Sequence, residues 1–174
     1  RYNSDGIDMH NWENALIDNC FLRTFDDSIC IKGFDFFDAE DAEKASNEAM
    51  YRNGKSYDIF KNVLVKNCTI WNDWSKCLEI GAETRAEEMC NIIFEDCNII
   101  HVTGSPLDCY NIDYGDVHDI IYRRINVEYD DVILKPLGQN SDVEKYINKD
   151  PNYSPRLICV IVDYHHEYSA GGTR

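Results

Sequence analysis

The chain has 174 residues, 44% of them hydrophobic, and its 32 acidic against 17 basic side chains give a formal net charge of −15. This length supports one core, belonging to one domain or to part of one. A surface of this charge repels nucleic acid and anionic lipid, and no apolar run approaches the ~18 residues needed to span a bilayer. We therefore expect neither a nucleic-acid partner nor a membrane partner.

The first residues show no signal peptide, and the chain begins with Arg1 rather than Met. We therefore expect a trimmed, processed or excised segment. The eight cysteines include no CxxC pair, and no cysteine and histidine spacing fits a zinc site. Most of them fall inside apolar segments, where a free cysteine behaves as a small hydrophobe. We expect no metal and no cofactor.

An internal repeat is the main feature of the sequence. Each unit alternates apolar and polar residues, carries a cysteine or isoleucine at the same place, and continues with further apolar residues, as a short strand does. The last two intervals between units are 29 and 28 residues, and the first is 48. The four segments are NALIDNCFL from Asn14, NVLVKNCTI from Asn62, NIIFEDCNI from Asn91 and DIIYRRINV from Asp119.

A second strand follows the first in three of the units, at Ser28–Gly33, Lys76–Gly81 and Pro106–Ile112. Each repeat has several short strands, and like residues stack from one repeat to the next. This pattern predicts an all-β fold, a right-handed parallel β-helix (a solenoid). We expect the chain to be part of a longer helix. Stacked parallel side chains have poor disulfide geometry, so we expect reduced, buried cysteines in the row Cys20, Cys68, Cys97. A β-sandwich with echoing strands is the alternative. The predicted inward rows are Ile29, Leu78, Leu107 and Ile31, Ile80, Cys109.

Two insertions, residues 34–60 and 132–155, interrupt this single domain of residues 1–174. The first contains a helix-favouring stretch from Ala39 to Met50, and the second is rich in loop-forming residues. Insertions in a β-helix often form the sides of a groove, although they can also simply pack against the helix without a functional role. Beyond them, Leu157–Tyr164 predicts a further core strand.

The acidic residues near the start of the chain follow the spacing of the repeat. Asp26 and Asp27 come 21 and 22 residues after Asp5, which is about one compact coil of a β-helix. Their three carboxylates should therefore lie close together, and mutual repulsion should raise at least one pKa. A protonated carboxyl beside ionised ones is what general acid–base hydrolysis of a glycosidic bond requires.

The motif NSDGID, followed 21 residues later by DD before SICIKG, resembles the polygalacturonase family, family 28 of the glycoside hydrolases. Those enzymes are right-handed parallel β-helices, and the resemblance implies an inverting glycosidase acting on O-glycosyl bonds. It makes Asp26 the general acid, has Asp5 and Asp27 activate water, and makes Asn3 a substrate-positioning residue. It also implies a secreted, periplasmic or cell-surface location.

The sequence differs from that family's motifs at the positions that would bind the substrate. Lys76 stands where the family's G-H-G motif has histidine, and no R-I-K motif occurs. Stacking places Glu79 beside Asp108 on the outer face, and Glu83 adds a further acid. Because galacturonate carboxylates need cations, a neutral glycan fits these residues better than pectin. Lys76, Glu79 and Glu83 are candidate substrate-binding residues, with ordinary surface charge as the alternative.

Trp71 and Trp74 precede this strand and could form a sugar-stacking platform, Trp74 being the candidate, or could pack at a corner. Asp5 could equally cap its turn, and the Asp26–Asp27 pair could mark a solvated bend. Taken together, the residues predict a polygalacturonase-like glycosidase with a carbohydrate substrate other than galacturonate, and leave two other functions open. One is a non-catalytic glycan-binding or spacer β-helix, and the other is a polysaccharide lyase or epimerase.

Overall fold

The computed structural model describes residues 4–10, 12–33, 59–129 and 156–163, which form thirteen strands and no helix. Within these ranges there is accordingly no helix long and apolar enough to cross a membrane. The strands are β1 (Ile7–His10), β2 (Glu13–Asp18), β3 (Phe21–Thr24), β4 (Ile29–Gly33), β5 (Ile59–Lys66), β6 (Thr69–Asn72), β7 (Leu78–Thr84), β8 (Glu88–Glu95), β9 (Asn98–Val102), β10 (Leu107–Asn111), β11 (Asp116–Arg123), β12 (Asn126–Val127) and β13 (Ile158–Val162).

The strands form three sheets in which every pair is parallel. One sheet has the order β1-β4-β7-β10-β13, the second β11-β8-β5-β2 and the third β12-β9-β6-β3. Each sheet thus takes every third strand along the chain. The described residues are all-β with parallel sheets, an arrangement compatible with the predicted parallel β-helix.

The register confirms the alignment of the repeats. Ala15 pairs with Val63, Val63 with Ile92, and Ile92 with Ile120. Both predicted inward rows are also present in the first sheet, where β4, β7 and β10 pair residue for residue through these positions. The repeat period therefore predicts correctly which residues pair between neighbouring strands.

Residues in the left-handed backbone region recur at the same places in each repeat. Asn14, Asn62, Asn91 and Asp119 have φ values of 58°, 59°, 51° and 52°. Asparagine and aspartate tolerate this region better than other residues with a side chain. The Asn62 amide donates to Asn14 Oδ1 at 2.9 Å, and Asn91 donates to Asn62 Oδ1 at 2.7 Å. These side chains stabilise a bend of the backbone in successive repeats.

The predicted cysteine row is partly corrected. All three cysteines are free, and Cys68 and Cys97 are fully buried, but Cys20 is only half-buried. Cys20 lies between β2 and β3, which are edge strands of their sheets. A core position next to an edge strand lacks a neighbouring repeat on one side, so its side chain keeps contact with solvent.

Two predicted boundaries also change. Ile59 and Phe60, assigned to the first insertion, belong to β5, where Phe60 is fully buried. The strand predicted over Leu157–Tyr164 is β13, and it is an edge strand whose Val160 is 71% exposed. The remainder of the first insertion, with its helix-favouring stretch, and the second insertion (132–155) lie outside the described residues.

Candidate functional site

Two turns that precede neighbouring strands bring the predicted acidic residues together. Asp5 comes before β1 and Asp27 before β4, and these strands are paired. The Gly6 amide donates to the Asp27 carbonyl oxygen at 2.9 Å. A Cβ atom on Gly6 would lie only 2.4 Å from the Ser28 carbonyl oxygen, so this close approach requires glycine.

The three carboxylates converge, as the 21-residue spacing predicts. One carboxylate oxygen each from Asp5, Asp26 and Asp27 lies within 4.8 Å of the others. Asp5 and Asp26 are half-buried, whereas Asp27 is 8% exposed. Asn3, the predicted substrate-positioning residue, lies outside the described residues. The site therefore has two carboxylates accessible to solvent and one behind them.

Lys32, on β4, contacts this cluster and was not selected from the sequence. Its Nζ lies 3.5 Å from Asp5 Oδ2, 3.3 Å from Asp8 Oδ2 and 4.0 Å from Asp27 Oδ2. Burial would lower the pKa of Lys32, but the surrounding negative groups, including Asp8 and Asp27, outweigh burial and raise it. Lys32 is therefore a fixed positive charge beside the carboxylates.

Lys76, the predicted substrate-binding lysine, contacts the same cluster from the next repeat. Its Nζ lies 3.8 Å from Asp27 Oδ1 and 3.0 Å from Glu79 Oε1. The Ser75 hydroxyl donates to Asp27 Oδ1 at 2.6 Å. Burial would raise the pKa of Asp27, but Lys76 and hydrogen bonds from Glu79 and Ser75 hold it below its ordinary value. Asp27 is therefore a stable anion at neutral pH.

Glu79 pairs with Asp108 in the register as predicted, but the expected exposure on an outer face is wrong for both. Glu79 is fully buried and Asp108 is 2% exposed. Lys76 covers Glu79, and the Cys30 thiol contacts Glu79 Oε2 at 3.4 Å. Burial, then the charge of Asp27, raises the pKa of Glu79 well above its ordinary value. Glu79 is therefore a buried acid that binds its proton more tightly than a free glutamate does.

Asp5 has the opposite electrostatic environment from Asp27. Burial and the neighbouring Asp8 raise the pKa of Asp5 to about 6, with smaller contributions from Asp26 and Asp27, although Lys32 opposes them. The expectation that repulsion raises at least one carboxyl pKa is therefore met at Asp5, with burial as the largest cause. The cluster combines a group that holds a proton near pH 6 with an anion.

Asn72 holds the two loops of the site together and was also missed from the sequence. It is fully buried, and its amide nitrogen lies 2.7 Å from the Asp26 carbonyl oxygen and 2.9 Å from the Lys76 carbonyl oxygen. Its side-chain oxygen accepts from the Ser75 amide at 2.6 Å. Its position at the end of β6, just before the DWSK turn, indicates such a role, since asparagine side chains often bond to nearby backbone in turns.

The two tryptophans have different neighbours. Trp74 stacks on Phe25, the residue before Asp26, with ring centroids 6.2 Å apart and planes 12° apart. Trp71 stacks on the buried His101 at 4.7 Å, with Arg23 5.2 Å from its centroid. Trp71 is thus a packing residue, while Trp74 borders the acidic site and stays a candidate sugar-stacking residue.

Glu83, the last predicted substrate-binding residue, is half-buried on β7. Its charge contributes to the raised pKa of Lys32, so it belongs to the same electrostatic network. The three carboxylates could also ligate a cation, but Lys32 and Lys76 already supply positive charge to them. We therefore assign no metal to this cluster.

Comparisons of the chain with protein-family models, with curated proteins and with solved structures found no match. The resemblance to polygalacturonases therefore depends on the motif residues themselves.

Proposed function

We propose that the three parallel sheets are the faces of a right-handed parallel β-helix and that the chain belongs to a polygalacturonase-like glycosidase. This enzyme would hydrolyse O-glycosyl bonds of a non-uronate polysaccharide or oligosaccharide. The motif spacing, the strand order and the converging carboxylates of Asp5, Asp26 and Asp27 support this proposal. The mechanism needs no cofactor, because the acid, the base and the water suffice.

One observation carries the chemistry: two carboxyl groups whose pKa values shift in opposite directions lie close together. Asp5, with a pKa near 6, lies within 4.8 Å of Asp27, whose pKa is below its ordinary value. Environments that push the pKa values of two neighbouring acids apart define the acid and base roles in glycosidases. A protonated carboxyl can donate its proton to the leaving oxygen while the anion accepts a proton from the water that attacks the sugar ring.

Two assignments of the acid follow from different evidence. The family resemblance makes Asp26 the general acid, with Asp5 and Asp27 activating water. The raised pKa favours Asp5 as the acid. The closest carboxylate oxygens lie within 4.8 Å of each other, nearer than the ~6.5–9.5 Å expected between the carboxyl groups of an inverting enzyme. The anomeric configuration of the first product therefore has to be measured, because it distinguishes inversion from retention.

A neutral sugar suits the charges of this site. The two lysines nearest the carboxylates, Lys32 and Lys76, are already paired with protein acids at 3.0–4.0 Å. A uronate would have to displace these internal partners before it could bind either cation. Trp74 offers an aromatic face next to Asp26, which suits the C–H surface of a pyranose ring.

The test is a hydrolysis screen of the full-length protein on neutral and acidic glycans. Asp5→Asn and Asp26→Asn are compared with wild type, and NMR follows the anomeric configuration of the first product. We expect cleavage of a neutral glycan with inverted configuration, lost in both variants. The variant lacking the acid should recover activity on an aryl glycoside whose leaving group needs no protonation.

Asp18→Asn is the matched control, because Asp18 is an exposed aspartate on β2 that pairs with Lys66. It should leave hydrolysis unchanged. Full activity of both Asp5→Asn and Asp26→Asn would overturn the catalytic assignment, and a retained configuration would overturn inversion. No hydrolysis of any glycan, with binding of one preserved, would instead support a binding module.

A non-catalytic glycan-binding or spacer role is the second candidate, since the same lysine contacts are typical of a structural ion-pair network. A lyase or epimerase with Lys76 as its base is disfavoured. Burial would lower the pKa of Lys76, but Glu79 and Asp27 outweigh it and raise the pKa above the ordinary value. A lysine held protonated is a poor base.

A further inference from the structure

A second cluster of titratable side chains lies on a different sheet, across β8 and β11. Cys90 on β8 pairs directly with His118 on β11. Glu88 lies two residues before Cys90 on the same strand, and side chains two apart share one face. His118 Nε2 lies 3.0 Å from Glu88 Oε1. One ligand atom from each of the three residues lies within 4.8 Å of the other two.

We propose that Glu88, Cys90 and His118 form a binding site for a borderline divalent transition metal, with Zn²⁺ as the best fit. A thiolate, an imidazole and a carboxylate are the donor types that zinc prefers. Bond lengths of about 2.0–2.3 Å place tetrahedral zinc ligands about 3.3–3.6 Å apart. The ligand atoms lie at most 4.8 Å apart, so binding requires them to approach by about 1 Å.

The other ring nitrogen of His118 already has the support that metal-ligating histidines have. His118 Nδ1 lies 3.0 Å from Asp119 Oδ2. A carboxylate at this nitrogen sets the tautomer and leaves Nε2 to the metal, as in carboxylate–histidine–zinc arrangements. Asp119 is therefore a positioning residue of the site.

Exposure and charge favour access of a cation. The side chains of His118 and Glu88 are 41% and 36% exposed, while Cys90 is only 9% exposed. The thiol is thus shielded at the base of the site, and an open position faces solvent for water or a further ligand. Lys61, which pairs with Cys90 on the opposite side, lies 3.9 Å from Glu13, so its charge has another partner.

A histidine held between two carboxylates is by itself an ordinary surface network. The Cys90 thiol distinguishes this cluster from such a network. His118 distinguishes it from the other two clusters of the described residues with metal-ligand spacing, since neither of them has a histidine. The inference is independent of the proposed glycosidase activity, since none of its residues belongs to the acidic site.

The test uses the full-length protein carrying His165→Gln and His166→Gln, so that this adjacent histidine pair cannot bind the probe metal. Zn²⁺ affinity is measured by competition with a chelator, and Co²⁺ binding by optical spectroscopy. We expect one ion per chain and thiolate-to-cobalt charge-transfer absorption. Cys90→Ser and His118→Gln should weaken binding by more than 100-fold, and Asp119→Asn by about 10–100-fold.

Cys159→Ser is the matched control, because Cys159 is a half-buried cysteine on β13, and it should bind the ion as the parent does. Circular dichroism establishes that each variant is folded. A cobalt spectrum without the thiolate band would overturn the proposal even without any variant. Unchanged zinc affinity in folded Cys90→Ser would overturn it as well.

Discussion

Two rows of side chains, one residue apart on the same five strands, show how differently this fold uses its two faces. The apolar row is Met9, Ile31, Ile80, Cys109 and Val160, and the polar row is Asp8, Cys30, Glu79, Asp108 and Cys159. Both rows are almost fully buried at β4 and β7. The apolar row stabilises the fold because its side chains are removed from water. Each charged side chain of the polar row instead loses hydration on burial and needs a hydrogen-bond or ion-pair partner to compensate.

Burial alone therefore does not identify the core of this fold. Residues of the polar row are covered by the two lysines and the loops before β4 and β7, and charge pairing compensates part of their desolvation. Such pairing can cost stability relative to apolar residues of the same size. A costly buried row of acids beside the carboxylates of Asp5, Asp26 and Asp27 is the pattern expected where function outweighs stability.

The largest effect is expected in the apolar row. Ile80 is fully buried between Ile31 and Cys109, so Ile80→Ala leaves a cavity and should lower the free energy of unfolding by about 3 kcal/mol. Ile121→Ala makes the same change at a side chain that is 40% exposed and should cost less than half as much. Urea denaturation measures both, and equal losses would contradict the assignment of the apolar row to the core.

The sequence allows the register of both rows to be predicted, because the repeat period alone determines which residues stack. It also places Asp5 next to Asp26, since one coil separates them. It does not show that Glu79 is covered, because coverage depends on where Lys76 and its loop pack. Motif spacing does not reveal the site of Glu88, Cys90 and His118 for a related reason: Cys90 and His118, 28 residues apart, are neighbours only across paired strands.

A smaller loss is expected where the polar row is paired. Lys76→Met removes the cation nearest Glu79 and Asp27, and should lower the free energy of unfolding by about 2 kcal/mol, less than a fully buried pair because Lys76 is partly exposed. Adding Asp27→Asn removes the anion that Lys76 neutralises and should restore at least half of the loss. A double variant no more stable than Lys76→Met would show that the lysine stabilises the fold by packing rather than by charge.

The smallest effect depends on pH and distinguishes Asp5 from the buried anion Asp27. The pKa of Asp5 is raised to about 6 from an ordinary value near 3.8, so the folded state binds a proton more tightly than the unfolded state. The stability that this proton contributes is fully present below about pH 4 and is lost as the pH rises through 6. Asp5→Asn keeps a neutral side chain at every pH and should therefore stabilise the protein by about 1–2 kcal/mol at pH 8, an advantage that disappears at pH 4. Thermal or urea unfolding of both proteins from pH 4 to pH 8 measures the difference. A gain that is the same at both pH values would mean that Asp5 is ionised throughout, and the protonated partner would then have to be sought at Asp26.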